Sequence, residues 1–402
     1  MSIKNICIVT TSQPSSNPRV VKEANVLAEE GFNVNVLYCF RSNWASEQDL
    51  QLFSTIKWKH TLVGGSPQLN SFLYNWTRLR RKLMSLLSFF PNSEKRFLAQ
   101  AYDELLRKAI QLKADLYIGH NPGALAVVAE AARKLNSRFA FDAEDYHRGE
   151  LSKDHPTSTK IHKIETLYLP NAVYVTVASP LIGKYYSKVY EVETITINNV
   201  FSKNYQAIFN KVSRTSTLKF FWFSQTIGSD RGLEDFFGAL EFLEEIHIEI
   251  TLLGTITNII KLHFLDLTKS KNHKLIFLPP CSERELFQLC SNYDIGLALE
   301  RDFPINRDIC LTNKLFTYLL SGIAVILSNT QAQKSFLNQY PDSGCRIYDI
   351  GDTFALAEII RYWYEHPEKL ENDKKNAWQL AKDRLNWEKE SELLVSLIKK
   401  IE

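Results

Sequence analysis

The chain has no stretch approaching the ~18 apolar residues of a membrane span, so no transmembrane helix is expected. Gly-x-Gly-x-x-Gly occurs nowhere near a strand end, which disfavours a dinucleotide-dependent dehydrogenase. The six cysteines, at 7, 39, 281, 290, 310 and 345, form no Cys-x-x-Cys pair and have no histidine-rich partner spacing. Neither a zinc site nor a disulfide framework is expected, and a reducing compartment follows. A formal net charge of only +3 gives no bulk attraction to nucleic acid. An Asp-x-Asp type of metal site is also missing. The opening MSIKNICIVTTS puts Lys4 directly before a strand-like run with no signal-peptide core after it, so the expected location is cytoplasmic.

What is present is the composition of a globular protein, 45% hydrophobic and 23% charged over 402 residues, a length that favours more than one domain. Short β-branched or aromatic runs alternate with amphipathic helices, twice over. In the first half the strand candidates are 5–10, 34–40, 115–120, 138–143 and 172–179; in the second they are 218–224, 248–254, 274–279, 294–300 and 324–328. Helices are expected at 18–31 and 122–135, each opening with proline, and at about 232–243, 283–292, 312–321 and 353–366. This grammar predicts an α/β protein of two doubly wound, parallel, Rossmann-like domains, 1–208 and 209–384, with the polar stretch 209–219 as linker and the helix at 385–402 packing back on the first domain. Ligands gather at the carboxyl ends of such strands, so the two domains are expected to face a cleft.

One insert breaks the rhythm. Residues 68–112 contain LYNWTRLRRKLMSLLSFF, where Arg78, Arg80, Arg81 and Lys82 adjoin leucine and phenylalanine. One reading is an exposed amphipathic helix pair capping the first domain; the other is a membrane-surface or lipid-acceptor element, with peripheral membrane contact through 68–90.

Two segments of the second half point to an anion. In NRDICLTNKLFTYLLSG (306–322), Thr312 stands where an N-cap is expected and Asn313 and Lys314 open a helix. A cation there opposes the helix dipole unless an anion lies against it, and free N–H groups beside an ammonium make a diphosphate seat. In FWFSQTIGSDRGLEDFFGAL (221–240), a strand leads through Gln225, Thr226 and Gly228 to Arg231-Gly232 and a helix, again presenting N–H groups and a guanidinium. The competing accounts are a surface lysine and a tight turn with an ordinary arginine.

Taken in order, these segments resemble the retaining glycosyltransferases of family 4, which have the GT-B fold. The resemblance extends over most of the chain: SSNPRVVKEANVLAEEGFNVNVL looks like that family's opening loop and first helix, IGHNPGALAVVAEAARKL its strand-to-helix junction, ITINNVF its Ile-Pro-Asn-Gly turn, and LNWEKESELLVSLIKKI its C-terminal helix. The combination of FDAEDYHRGE, FWFSQTIG and NRDICLTNKLFTYLLSG is similar to one bacterial subgroup. The resemblance implies that Arg231 takes the place of a diphosphate-contacting lysine, while Thr226 replaces an arginine. The family's paired glutamates fall on Ile309 and Thr317, so both carboxylates are missing; Thr317 is then expected to hydrogen-bond a ribose, with Glu300 or Asp308 as substitutes for the lost charge.

The first half departs as well. Where the family often has Asp-x-His-Glu, this chain reads Asp142-Ala143-Glu144-Asp145. One account puts Glu144 beside the reacting centre; the other makes Glu144 and Asp145 the cap and first turn of the next helix. His120 sits at a strand end where ligands gather, with a structural histidine as the rival reading. Asn17 and Arg19, in the loop after the first strand, are expected to reach the acceptor, with helix capping by Asn17 the competing account.

The resulting expectation is a metal-independent glycosyltransferase without a cofactor, moving a sugar from a nucleotide diphosphate sugar to a sugar or lipid-linked hydroxyl acceptor in polysaccharide or glycolipid assembly. By resemblance, configuration is retained. Glu144, His120, Arg231 and Lys314 are the catalytic candidates, and Gln225, Thr226, Gly228, Arg231, Thr312, Asn313, Lys314 and Thr317 the donor-binding ones. The rivals are a nucleotide-sugar epimerase of the same fold and a non-catalytic nucleotide-sugar-binding protein.

Overall fold

The structure is a computed structural model describing residues 3–86, 93–209, 217–268 and 270–401. The chain divides into two compact units, Met1–Ile197 with Ser391–Glu402, and Asn198–Glu390. The division falls ahead of the anticipated 208/209 boundary. Residues 210–216 of the anticipated linker lie outside the described residues, and Thr217 already begins a strand.

The first unit is built on seven parallel strands: β1 (Asn5–Thr10), β2 (Asn33–Cys39), β3 (Lys59–Val63), β4 (Leu116–His120), β5 (Arg138–Ala143), β6 (Val175–Val177) and β7 (Thr194–Thr196). Their order is β3-β2-β1-β4-β5-β6-β7, so the winding reverses between β1 and β4. Central strands β1 and β4 are apolar and covered on both faces, as parallel sheets require. The short edge strands β3 and β7 are half exposed and carry too few apolar residues to read as strands from sequence. In the core, Ile6, Ile8, Val36 and Ile118 pack against Val20, Ala24 and Leu27, the helical i, i+4, i+7 stripe of Pro18–Glu29. Val395 and Ile398 of the Trp387–Lys399 helix join the same core. Each fully buried aliphatic side chain there contributes about 1.5–3 kcal/mol.

The second unit has six parallel strands: β8 (Thr217–Thr226), β9 (His247–Thr255), β10 (His273–Leu278), β11 (Ile295–Ala298), β12 (Ala324–Ser328) and β13 (Cys345–Tyr348). The order β10-β9-β8-β11-β12-β13 places its reversal between β8 and β11. Phe220, Trp222, Ile250, Leu252 and Leu297 pack with Leu233, Phe236 and Trp363 in its core. β13 is the strand of this sheet that the apolar pattern does not reveal: only Cys345 and Tyr348 are buried, at its two ends.

The described part of the insert holds three helices, Ser71–Leu86, Ser93–Leu98 and Tyr102–Leu112, rather than a pair. Residues 87–92 lie outside the described residues. Among the described residues no helix is long and apolar enough to cross a membrane.

Candidate functional site

Each sheet carries a cluster of polar and charged side chains at its own point of reversal. In the first unit the polypeptide leaves β4 at His120 and turns at Asn121, whose φ of 65° lets Pro122 begin a helix at once. Asn121 is held there by Thr10 and Thr11: its amide donates to Thr10 Oγ1 at 3.1 Å and its carbonyl accepts from Thr11 Oγ1 at 2.7 Å.

His120 is fully buried, and both ring nitrogens face carboxylates: Nε2 lies 2.5 Å from Glu23 Oε2, and Nδ1 lies 2.9 Å from Glu144 Oε1 and 3.2 Å from Asp142 Oδ2. Burial by itself would lower the imidazole pKa, but Glu23, Glu144 and Asp142 outweigh it and raise it to about 10. His120 is therefore an imidazolium at neutral pH. Arg19 grips Asp142 with two parallel bonds, Nε to Oδ2 at 2.5 Å and Nη2 to Oδ1 at 2.8 Å, and donates Nη1 to the Ile197 carbonyl at 2.7 Å. Thr176 donates a further bond to Asp142 Oδ1 at 2.7 Å. Although burial disfavours its charge, Asp142 is kept below the usual carboxylate range by Arg19 and then His120.

Several sequence expectations change here. Arg19 is not available to an acceptor: its side chain is 6% exposed and committed to Asp142. Asn17 does cap the Pro18–Glu29 helix, accepting from Val20 N at 3.3 Å, and its amide donates to Glu144, so it too faces inward. His120 cannot touch a ligand; it acts by holding Glu144. Glu144 does not cap a following helix, because the next element is a short 3-10 turn, His147–Gly149, whose cap is Tyr146. The Glu144 side chain is 23% exposed and is the member of the cluster that reaches solvent. Three carboxylates thus face two cations, with Glu144 outermost. Glu23 was not anticipated; its signal was the i, i+4 spacing from Arg19, which puts both on one helix face.

The ligand atoms of Glu23, His120 and Asp142 lie within 4.8 Å of one another, a spacing that a metal ion could bridge. The set is already satisfied from within. Arg19 occupies both oxygens of Asp142, and each ring nitrogen of His120 lies within hydrogen-bond distance of a carboxylate.

In the second unit the corresponding cluster joins two loops. Gly232, with φ 79°, caps the Leu233–Ala239 helix, and a Cβ there would lie 2.5 Å from the Leu299 carbonyl oxygen, so glycine permits the two loops to touch. Arg307 donates to the Asp230 carbonyl at 3.2 Å, and Arg301 lies 3.5 Å from the Asp230 carboxylate. Arg231, between Asp230 and Gly232, is exposed and makes no hydrogen bond or ion pair among the described residues. Gln225 and Thr226 close β8 and are exposed; Gly228 lies in open space with an ordinary φ, so nothing there demands glycine.

The Asn313–Ser321 helix starts against Glu300, the residue after Leu299. Thr312 occupies the cap position without capping: its hydroxyl donates to Glu300 Oε1 at 2.9 Å. Asn313 is exposed, and the first N–H groups of the helix receive no side-chain cap. Lys314 is not a free cation as anticipated, since Nζ also meets Glu300 Oε1 at 2.9 Å. Burial opposes the Glu300 charge, yet Lys314 and the bonds from Lys314 and Thr312 hold its pKa below the ordinary value.

The two positions lacking family carboxylates are both interior. Ile309 and Thr317 are 0% exposed, and Thr317 Oγ1 has no hydrogen-bond partner, so the anticipated ribose contact by Thr317 is not made available. Asp308 is committed to the next helix start, accepting from the Gln331 backbone N–H at 2.8 Å and from the Gln331 side chain. Glu300 is thus the carboxylate that lies beside Lys314. Arg301 and Arg307 were missed by sequence reasoning, having no motif to mark them.

No family model matches this chain, and no curated protein matches it in sequence. Solved structures do match it along its length. HepE of Anabaena in complex with UDP is 14% identical over 99% of this chain and all of that one, with a TM-score of 0.68. Sucrose-phosphate synthase of Thermosynechococcus elongatus is 13% identical over 99% of both chains, with a TM-score of 0.72. A putative UDP-N-acetylglucosamine 2-epimerase of Listeria monocytogenes is 9% identical over 99% of this chain and 96% of its own, with a TM-score of 0.57. The fold is that of the GT-B enzymes, two Rossmann-like α/β units, as the alternation of strands and helices predicted.

Proposed function

We propose that this chain is a glycosyltransferase that moves a sugar from a nucleotide diphosphate sugar to a hydroxyl acceptor. The observations that carry the reading lie in the second unit: an exposed Arg231 with no partner among the described residues, directly ahead of the Leu233–Ala239 helix, and the Asn313–Ser321 helix start, whose first N–H groups have no side-chain cap. An anion placed there gains a guanidinium and a helix N-terminus together. The HepE structures support a sugar nucleotide as that anion, since that protein of the same fold is seen with UDP and with UDP-glucose.

In this reading Arg231 and the N–H groups after Thr312 seat the diphosphate. Lys314 joins them by sharing its charge between Glu300 and the phosphate, and Glu300 is the acceptor of a donor-sugar hydroxyl. Departure of the sugar leaves negative charge on the diphosphate, and these preorganised donors stabilise it in the transition state more than in the bound substrate. No metal or cofactor is required for that. The family resemblance supports retention, with the acceptor hydroxyl attacking on the leaving-group face and its proton passing to the departing phosphate. Glu144, held by His120 and Asn17, accepts a hydrogen bond from the acceptor. The role is polysaccharide or glycolipid assembly in the cytoplasm, at the inner face of a membrane contacted through 68–90.

Titration of the protein with UDP- and GDP-sugars by calorimetry tests this. Replacing Arg231 or Lys314 by alanine is expected to weaken binding about tenfold each, the loss of one charge-assisted contact. If both variants bind like the parent, the seat is elsewhere and the reading fails. An epimerase would form product from the nucleotide sugar alone, whereas the transferase requires an added acceptor.

A further inference from the structure

The first unit carries a second, separate recess. A cavity of about 320 Å³ opens where β1, β2 and β3 end, lined by Thr11, Phe40, Gly64, Gly65 and Gln100 together with Arg41, Arg78 and Arg81. Three guanidinium groups face it and no carboxylate does. The partners these arginines have are neutral: Arg78 donates to the Tyr74 hydroxyl at 2.6 Å, and Arg81 donates Nε to the Phe97 carbonyl at 2.9 Å. Arg80, the neighbour on the same helix, is by contrast paired with two carboxylates, Asp103 and Glu104. Burial, followed by the like charges of Arg41 and Arg78, holds the Arg81 pKa below its ordinary value, the signature of cations gathered without a counter-ion. Gly65, with φ 72°, lets the backbone turn close under the insert: a Cβ there would meet the Asn70 carbonyl at 2.5 Å.

This cationic recess is continued by a second hollow with an apolar side. Arg78 and Arg81 line that hollow too, with Lys82, Gln100, Leu79 and Phe97. On the Ser71–Leu86 helix, Phe72, Trp76, Leu79 and Leu83 are 82%, 49%, 50% and 43% exposed. Their i, i+4, i+7, i+11 spacing makes one uncovered apolar stripe. Leu79, which shares the hollow with Arg78 and Arg81, leads from the cations round the helix to this stripe, and a surface that offers both selects a ligand with a charged head and an apolar chain. Thr11 lines the recess and donates to Asn121, the residue after His120, so the recess neighbours the Glu144 cluster.

We infer that the acceptor is a sugar hydroxyl carried on an amphipathic phosphate: the phosphate or diphosphate group seated among Arg41, Arg78 and Arg81, with its hydrocarbon chain lying along Phe72, Trp76, Leu79 and Leu83. The ligand's role as acceptor rests on the transferase reading; its binding does not.

The test uses three probes on the full chain: farnesyl phosphate, inorganic phosphate and farnesol, followed by calorimetry. Farnesyl phosphate is expected to bind at least about tenfold more tightly than either fragment, because each fragment makes only half of the contacts. The double substitution Arg78→Gln with Arg81→Gln is expected to weaken farnesyl phosphate about tenfold or more while the phosphate-free alcohol binds as before. Trp76→Ser should erase most of the advantage of the chain over inorganic phosphate. If the double variant does not fold, Arg41→Gln, at an exposed position, is measured in its place with the same expected direction. Failure of the parent to bind farnesyl phosphate, or parent-like binding by the arginine variants, overturns the inference. Equal binding of inorganic phosphate makes the site one for free phosphate and overturns the lipid-linked assignment. Nucleotide-sugar binding by the parent is measured alongside: if it fails while farnesyl phosphate binds, only the transferase reading falls, and the converse result sinks this inference alone.

Discussion

At the reversal of the first sheet every buried charge is answered from within, with Arg19 on Asp142 and His120 between Glu23 and Glu144. At the reversal of the second sheet Arg231 stands exposed with no partner among the described residues, and the Asn313–Ser321 helix start has no side-chain cap. The two units share a fold and a location for their polar residues, yet one cluster is closed and the other is open. A closed cluster fixes geometry: it aims Glu144 and leaves it little freedom. An open one leaves its donors to be satisfied by whatever anion arrives, so its interaction energy goes to binding rather than to folding. Glu300 tempers that openness, since it already takes part of the Lys314 charge.

The sharpest break in this comparison comes from removing Asp142. The Asp142→Ala variant strips Arg19 of its bidentate partner in the interior, and unfolding in urea is expected to show a loss of about 3–5 kcal/mol. Arg231→Ala, at an exposed position, is expected to stay within about 0.5 kcal/mol of the parent in the same measurement. Equal losses in the two variants would mean that the closed cluster does not bear on folding.

A second, smaller effect should appear with pH. The folded His120 pKa is about 10 against an ordinary 6.5, so its contribution is fully present below pH 6.5 and is lost as pH climbs towards 10. His147, raised to about 9 by Glu150, adds to the same decline, so the difference between parent and His120→Gln isolates the former. That difference curve, from thermal melts between roughly pH 6 and 10, should fall by on the order of 1–3 kcal/mol. A flat curve would place a neutral imidazole in the cluster and reopen it to a metal.

The smallest effect concerns Thr317. Its buried hydroxyl lacks a partner, so Thr317→Val is expected to stabilise the protein by about 1 kcal/mol while nucleotide-sugar affinity stays unchanged. Weakened donor binding in that variant would restore the ribose contact that burial argues against.

Much of the architecture was legible because β1, β4 and β12 are short, largely apolar and buried on both faces, and β5 and β8 carry aromatic runs at their centres. β3 and β7 escaped notice because edge strands need only one covered face. The site was legible in part. Arg231 and Glu144 carry charge in loops after strands and Lys314 opens a helix, places where ligand chemistry gathers and to which the pattern of turns points. Asn17 and Arg19 cap and open a helix in the same way, and nothing local distinguishes an arginine that reaches solvent from one folded back onto Asp142.

Sequence alone therefore settled the alternation of strands and helices, the plan of two Rossmann-like units and the loops where charged residues collect, because periodicity and turn chemistry are short-range properties; the GT-B arrangement was implied by the family resemblance. The tertiary structure decided which of those charges are spent on each other. Whether a carboxylate meets a guanidinium from a distant helix, or arginines from two separate segments line one recess, depends on contacts between residues far apart in the chain, and no local pattern encodes them.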